Sequence, residues 1–403
     1  MRIVIVGAGV AGCVMARKLS QLAGVEVICL ERVARDDHSE AGTGLNVGPN
    51  AVKALKLTDP ELADAITQAS FPWATWRISL TDGTELFNLK LKDVAEGPGW
   101  RIRWSELYRV LRDAAGASVH YGCEISKIGR DANHPRKTAI AWTQNGQTQR
   151  IDDIDLLIAA DGRYSRVRRA ISGEPPIRQT GVAISRVLVE DTSNGLITDY
   201  QQWFNGPNRL LAFRVPPDHV YVATAFPIPP DQPVPESLKQ SEALRAAFTP
   251  RDGTLSDKGR WLIDTICANV ADMHWARMQE HDVLYADPHA PVLYLGDASH
   301  GMVPTLGQGA TQAIEDAAVA ASLIAREWAT GGREPRAWLG QIDALRRERM
   351  RFTMEFSLEA TDTMLADADP VAGTLHKKQP EFMAKLRRLY REVPGLPAMA
   401  TKS

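Results

Sequence analysis

The sequence predicts an α/β protein: a mostly parallel sheet with helices on both faces, a second, antiparallel sheet threaded through it, and a helical C-terminal region. Three features point to it. The N-terminal stretch Arg2–Glu31 runs as strand, glycine turn, helix, strand and acid. Two later apolar runs, Asp155–Ala160 and Pro291–Leu295, have the look of buried parallel strands and end in Asp161-Gly162 and Gly296-Asp297. Around them, Trp73–Leu91 and Val182–Phe226 alternate at the period of half-buried antiparallel strands.

Arg2–Val6 is a short β-branched run suited to a fully buried strand. Gly7-Ala8-Gly9-Val10-Ala11-Gly12 follows. The first glycine permits a tight turn, the second lets backbone approach a pyrophosphate, and the third lets helix pack on strand. The helical pattern Ala11–Leu22 would then turn its N-terminal amides and positive dipole end toward phosphates. A second strand, Val25–Leu30, ends at Glu31, about 20 residues past the glycines, where a carboxylate accepts hydrogen bonds from ribose hydroxyls. These parts in this order make a Rossmann-like dinucleotide site.

Beyond Glu31 come Arg32, a charged loop with a solvated His38, and Gly42-Thr43-Gly44-Leu45-Asn46-Val47-Gly48. The close glycines suggest backbone passing near something flat, or an ordinary loop before a helix starting near Asn50. Trp76–Leu80 and Glu85–Leu89 about Asp82-Gly83 form a hairpin that opens the second sheet. A helix from Trp104 to about Ala115, a strand Val119–Ile128 and a strand pair about Asn145-Gly146 lead to Asp155–Ala160 and a basic helix, Arg163–Ile171. The proline-rich Pro227–Pro235 can only be a loop. Helices near Ser237–Phe248 and Trp261–Ala271 follow. After Gly296-Asp297 come Pro304, Gly307-Gln308-Gly309 and an alanine-rich helix, Ala310–Trp328. A carboxylate at 297 sits at the carboxyl edge of the sheet, where open α/β sheets bind ligands. The expected division is a discontinuous nucleotide domain (1–72, 99–178 and 276–330), a substrate-binding β-sheet domain (73–98 and 179–275) and a helical region (331–403) that suits packing or an oligomer contact, with nothing in it that suggests chemistry.

At 403 residues, 44% hydrophobic and 24% charged, the chain has a globular composition and more than one core. A net charge of −2 without a lysine/arginine block argues against nucleic acid or an anionic membrane as partner. No apolar run reaches the roughly 20 residues of a membrane span. The N-terminal strand lacks a signal-peptide pattern, so a cytoplasmic location is expected. Cys13, Cys29, Cys123 and Cys267 show neither metal-ligand nor disulfide spacing and read as small buried hydrophobes, and no metal site is expected. His219 falls in a turn; His300 is a candidate for the pocket edge.

With Gly7 to Gly12 plus Glu31, Asp161-Gly162 and Gly296-Asp297 in this order, most of residues 1–330 resembles the single-component FAD-dependent aromatic hydroxylases. These are the flavoprotein monooxygenases typified by p-hydroxybenzoate, salicylate, hydroxynicotinate and hydroxypyridine hydroxylases. The resemblance implies FAD as cofactor, its pyrophosphate and adenosine ribose on Gly7, Gly9, Gly12 and Glu31, with Arg32 beside the adenine. It implies that Asp161 and Gly162 support the flavin diphosphate and a transiently bound NADH or NADPH. Asp297 would hold the ribityl chain, and Pro304 with Gly307 to Gly309 would lie against the isoalloxazine ring. Amides at that helix start can stabilise negative charge on the reduced ring. Many members place an arginine on the flavin where this chain has Trp104, with Arg103 one step away. The Trp104-Ser105 pair is similar to the dihydroxypyridine branch. Hydroxynicotinate-type members carry a catalytic histidine where this chain has Asn46.

The implied reaction is NAD(P)H-driven insertion of one atom of O2 into an electron-rich aromatic or heteroaromatic ring through a flavin hydroperoxide, in a monomer or homodimer. A flavin oxidase or dehydrogenase without oxygen insertion, and a flavin-binding protein without turnover, are the other readings. Strand periodicity groups Arg209, Leu211 and Phe213 on one side of a strand, and Val222, Thr224 and Phe226 on one side of its neighbour. By the resemblance both sides face the flavin; Arg209 would then pair with a substrate carboxylate, the alternative being a solvated strand end, and Asn46, Thr224 and Pro304 are the candidate catalytic positions.

Overall fold

The structure is a computed structural model and describes residues 1–37, 43–131, 134 and 136–396; His38 and Gly42, singled out above, lie outside them. Among the described residues the strands form four sheets. The first is parallel, in the order Val292–Tyr294, Leu156–Ala159, Arg2–Val6, Glu26–Leu30 and Val119–His120. Ile3, Val4, Ile5 and all of Leu156–Ala159 are fully buried, because helices cover one face and the three-stranded sheet Gln147–Ile154, Thr138–Gln144 and Glu124–Arg130, with helix Arg166–Ser172, covers the other; that is why these strands are unbroken apolar runs. Helix Val10–Leu19 follows the first strand, and the long helix Gln308–Ala329 packs beside it.

The second sheet has the order His274–His281, Ile177–Glu190, His219–Pro227, Asn208–Val215, Tyr200–Asn205, Thr75–Leu80 and Glu85–Lys90. Only Tyr200–Asn205 against Thr75–Leu80 is a parallel pair. The strand His274–His281 belongs wholly to this sheet, so the expected return to the first sheet at 276 is corrected to a return beyond His281. Its polar sequence, that of an edge strand with one side unpaired, disguised it. Helices Ser241–Phe248 and Asp257–Ala268 cover one face through Leu244, Phe248, Leu262 and Ile266. The other face turns toward the first sheet. The small sheet Gly44–Val47, Gly99–Arg103 and Phe71–Trp73 touches both domains.

The C-terminal helices pack onto both domains. Helix Pro335–Glu359 inserts Trp338, Ile342 and Met350 into the core of the first domain. Its Phe356 enters the core of the second, beside Phe382, Leu386 and Tyr390 of helix Pro380–Arg391. Among the described residues no helix is long and apolar enough to cross a membrane.

Candidate active site

The glycine turn closes tightly at two positions and stays open at one. Gly7 has φ +95°, and a Cβ there would collide with the carbonyl of Ala160; a Cβ on Gly12 would collide with the carbonyl of Gly7. Both must be glycine if helix Val10–Leu19 is to close onto the sheet. At Gly9 a Cβ would meet nothing nearer than the Ala160 oxygen at 4.0 Å, and that open side is cavity wall. The helix start has no side-chain cap and no acidic residue in its first turn, so its amides remain for an anion. Glu31 accepts from the amides of Ala8 at 2.6 Å and Val33 at 3.1 Å, which holds its carboxylate across the turn. Arg32 lies on the same wall.

From here a cavity of ≈ 1140 Å³ runs to the face of the seven-stranded sheet. That exceeds the ~300–1,000 Å³ of a pocket for one small ligand, leaving room for a dinucleotide and a second molecule. Asp161 spends its carboxylate on Ser165 Oγ at 2.6 Å and the Val167 amide at 3.1 Å, capping helix Arg166–Ser172, and burial pushes its pKa up. A cofactor there would meet the backbone of Gly162, beside which a Cβ has nothing within 4 Å. Asp297 lies 3.5 Å from Arg163 Nε and keeps over a third of its side chain accessible. Gly307, at φ +65°, precedes helix Gln308–Ala329, and the Asn46 side chain rests directly against it. Pro304 is exposed on the same wall, near Gly309. Open backbone at Gly9 and Gly162, uncapped amides, and carboxylates at both ends of one large cavity fit FAD.

Arg103 does not line this cavity. It ends its strand, and the helix begins at Trp104, so the helical period turns Trp104, Tyr108 and Arg112 inward and leaves Arg103 outside. The expected flavin contact by Arg103 is corrected accordingly; Trp104 and Tyr108, ring centroids 5.4 Å apart, stand there.

In the seven-stranded sheet Arg209 lies opposite Ala225, Leu211 opposite Ala223 and Phe213 opposite Tyr221. Opposed residues share a face, so the cavity wall is Arg209, Leu211, Phe213, Tyr221 and Ala223, joined by Tyr200. Val222 and Phe226, expected there, lie on the other face with Leu244 and Phe248. The period of two groups these residues but does not say which side faces the cavity; the resemblance supplied that choice, and the register places the opposite side there. Thr224 borders the cavity, but its side chain shares the Val222 face and its hydroxyl is hydrogen-bonded to Ser185 at 2.6 Å. Tyr221 and Ala223 were missed because only register identifies them.

Arg209 is 5% exposed, its Nε has no hydrogen-bond partner, and among the described residues no carboxylate pairs with it. Burial lowers its pKa, opposed by Tyr200 and Tyr221, whose own hydroxyls burial pushes up. Among the described residues no histidine lines the cavity.

His300 is not at the pocket edge: it is fully buried beneath it, Nε2 2.6 Å from Asp316 Oδ2. Asp316 also accepts from Gly296 N at 3.1 Å, Tyr285 OH at 2.8 Å and Arg346 Nε at 2.8 Å. Neighbouring Glu315 meets Arg346, Arg349 and Asn50. Burial pushes both carboxyls up, but their partners outweigh it and hold each at about 2: Arg349 and Arg346 act on Glu315, His300 and Arg346 on Asp316. The C-terminal region, expected only to pack or to form an oligomer contact, thus supplies counter-charge under the Gly296-Asp297 turn. Away from the cavity, Asp131, His134 and Asp153 have ligand atoms close enough for a metal. Lys137 Nζ lies 2.5 Å from Asp153 and His134 pairs with Asp131 at 3.5 Å, as in an ordinary ion-pair cluster.

Residues 1–194 match a family model described as FAD binding domain. The chain is 28% identical over 338 residues to 2-heptyl-3-hydroxy-4(1H)-quinolone synthase of Pseudomonas aeruginosa, 81% of each chain being covered. It is 28% identical over 336 residues to 6-hydroxynicotinate 3-monooxygenase of Pseudomonas fluorescens, covering 80% of this chain and 82% of that one. To salicylate hydroxylase of Pseudomonas putida it is 28% identical over 405 aligned positions, covering 93% and 88%. Its fold is similar to that of Klebsiella pneumoniae HpxO complexed with FAD and uric acid, with a TM-score of 0.78 and 21% identity over 97% of this chain and 96% of that one. Joined to the open glycine turn, the carboxylates and the shared cavity, these likenesses make the chain an FAD-dependent enzyme similar to the class A flavoprotein monooxygenases.

Proposed function

We propose that the enzyme hydroxylates an anionic aromatic or heteroaromatic small molecule, using NADH or NADPH and O2. The observation that carries this reading is Arg209, a buried guanidinium on the cavity wall with no counter-ion among the described residues. A buried charge without a partner is costly, and an anionic group on the substrate would relieve that cost with the fork geometry that arginine favours. Tyr200, Phe213 and Tyr221 give a flat ring an aromatic wall, and Leu211 and Ala223 leave room for it. The names of the relatives, a hydroxynicotinate monooxygenase and a salicylate hydroxylase, support the same substrate class.

Bound FAD supplies the redox chemistry, taking electrons from the nicotinamide and activating O2. In this reading Gly9 and the helix start would hold its pyrophosphate, Glu31 and Arg32 the adenosine end, Asp297 the ribityl chain, and Pro304, Gly307 and Gly309 the ring. The chain then orients the substrate ring and excludes water. Asn46 can hold a hydrogen bond beside Gly307 but cannot take a proton near neutral pH.

The test is a screen of hydroxylated benzoates and pyridines for stimulated NAD(P)H oxidation by the FAD-loaded protein, with product oxygen traced from labelled O2. Stimulated turnover with label in the product is expected. Oxidised product free of label, for every compound that stimulates, would mean an oxidase or dehydrogenase instead.

A further inference from the structure

The register of the seven-stranded sheet brings a second arginine onto the face that carries Arg209. Ala225 lies opposite Arg209 on one side and Ile184 on the other; Ala223 lies opposite Leu211 on one side and Arg186 on the other. Arg209 and Arg186 therefore share the cavity face, on the two strands that flank His219–Pro227, two strand spacings apart across the sheet and two residues apart along it, ~12 Å between Cα atoms. Between them stand only the methyl groups of Ala223 and Ala225. Arg186 lines the cavity at its solvent side and, among the described residues, has neither a carboxylate nor a hydrogen-bond partner.

Three nearby arginines are committed. Arg101 pairs with Asp199 and with the carbonyls of Pro72 and Arg214; Arg214 pairs with Asp191; Arg178 pairs with Glu280 and Asp282. Among the described residues Arg77 and Arg277 lack an acid too, but Arg77 does not line the cavity and Arg277, opposite Ala183, lies on the Phe226 face; Arg209 and Arg186 are the pair without an acid that shares the cavity face. Two uncommitted guanidiniums on one wall with small residues between them describe a flat ligand that presents an acceptor at each end.

We infer that the substrate is an aromatic ring carrying two anionic groups at opposite ends, one held by Arg209 at the dry end and a carboxylate held by Arg186 at the wet end. This rests on the reading of the cavity as an aromatic hydroxylase site, and narrows it from one anionic group to two. The more weakly hydrated anion, such as a ring-attached oxide, is the easier to strip of water for the buried arginine. The carboxylate stays where solvent still reaches it.

The experiment titrates the FAD-loaded enzyme with ligand pairs that differ only in the carboxylate, 4-hydroxybenzoate against phenol and 6-hydroxynicotinate against 2-hydroxypyridine. The dissociation constant is read from perturbation of the flavin absorbance. The wild type is expected to prefer the carboxylated member of each pair by about 3- to 10-fold, the scale of a partly exposed charge pair. Arg186→Met is expected to erase that preference and Arg186→Lys to restore part of it, whereas Arg209→Met weakens both members of a pair. Arg186 is exposed, so its variants should fold, and unchanged thermal melting checks this. A wild type that binds both members equally, or a preference that survives in Arg186→Met, overturns the two-anchor inference. Either result leaves oxygen incorporation untouched. Turnover without labelled oxygen in any product refutes the hydroxylase reading instead, so the two failures are distinguishable.

Discussion

His300 Nε2 stands 2.6 Å from Asp316 Oδ2, and the same oxygen accepts the Gly296 amide at 3.1 Å, all inside a fully buried core. The other Asp316 oxygen receives Tyr285 and Arg346. One carboxylate therefore ties the Gly296-Asp297 turn at the cavity to a helix of the C-terminal region. Removing Arg346 leaves Glu315 and Asp316 buried with one cation fewer. Arg346→Met is expected to cost about 3–5 kcal/mol of stability, the scale of breaking a buried ion pair, and to loosen FAD by releasing the turn. Denaturant unfolding and FAD retention on gel filtration check both effects.

The same pair gives stability a defined dependence on pH. Both carboxyls have folded-state values of about 2, below their ordinary 4.5 and 3.8. A depressed folded value contributes stability that is present above the unfolded value and is lost as pH falls through the folded one. Stability should therefore fall steeply from about pH 4.5 toward pH 2. Asp316→Asn, less stable at neutral pH, should show a shallower slope in that window. Urea midpoints measured across it decide the matter.

The glycine turn separates folding from cofactor binding. Gly12→Ala is expected to abolish soluble folded protein, because the added carbon collides with the backbone of Gly7. Gly9→Ala has space in the chain and should fold, but it projects into the place where a phosphate would lie, and FAD affinity should drop. Glu31→Ala and Asp297→Ala should each weaken FAD by about 1–3 kcal/mol, as the loss of one set of charge-assisted hydrogen bonds would. Unchanged FAD affinity in both would remove these residues from the site.

What was legible in the sequence is what depends on local spacing. Gly7, Gly9, Gly12 and Glu31 form one βαβ unit whose order is readable without knowing the rest of the chain. The face of Arg209, Leu211 and Phe213 follows from the period of a single strand. The face of the neighbouring strand does not, since it depends on a register set by pairing between strands, and there Val222 and Phe226 took the place of Tyr221 and Ala223. Arg103 failed by one position: the inward-facing place belongs to Trp104, and a neighbour in sequence does not share its direction. The ties among His300, Asp316 and Arg346 join residues 16 and 30 positions apart in sequence, through helix packing that no local pattern encodes.

The register correction makes its own prediction. Phe226→Ala empties a site between sheet and helices and is expected to cost about 3–5 kcal/mol of stability with little change in KM. Tyr221→Ala should raise KM by removing an aromatic wall of the cavity. The reverse pattern would restore the pairing that the structure replaces.

The last prediction concerns the proton that an ionising ring hydroxyl must lose. Asn46 cannot accept it near neutral pH, and among the described residues no histidine lines the cavity. Thr224 is turned away and bonded to Ser185. The proton must then leave to solvent because the substrate is acidic enough in place, and a nearby guanidinium such as Arg209 lowers the pKa of a bound hydroxyl by favouring its anion. The pH at which oxygen transfer becomes efficient should therefore follow the substrate's own pKa across ring-substituted analogues. Arg209→Met should shift that transition upward for every analogue, since the anion then loses its cation. Rapid-mixing measurements of the oxygen-transfer step across pH would test both. A fixed transition near the roughly 6.5 of an ordinary histidine, identical for all analogues and abolished by one His→Asn change, would overturn the account and reveal a base outside the cavity wall.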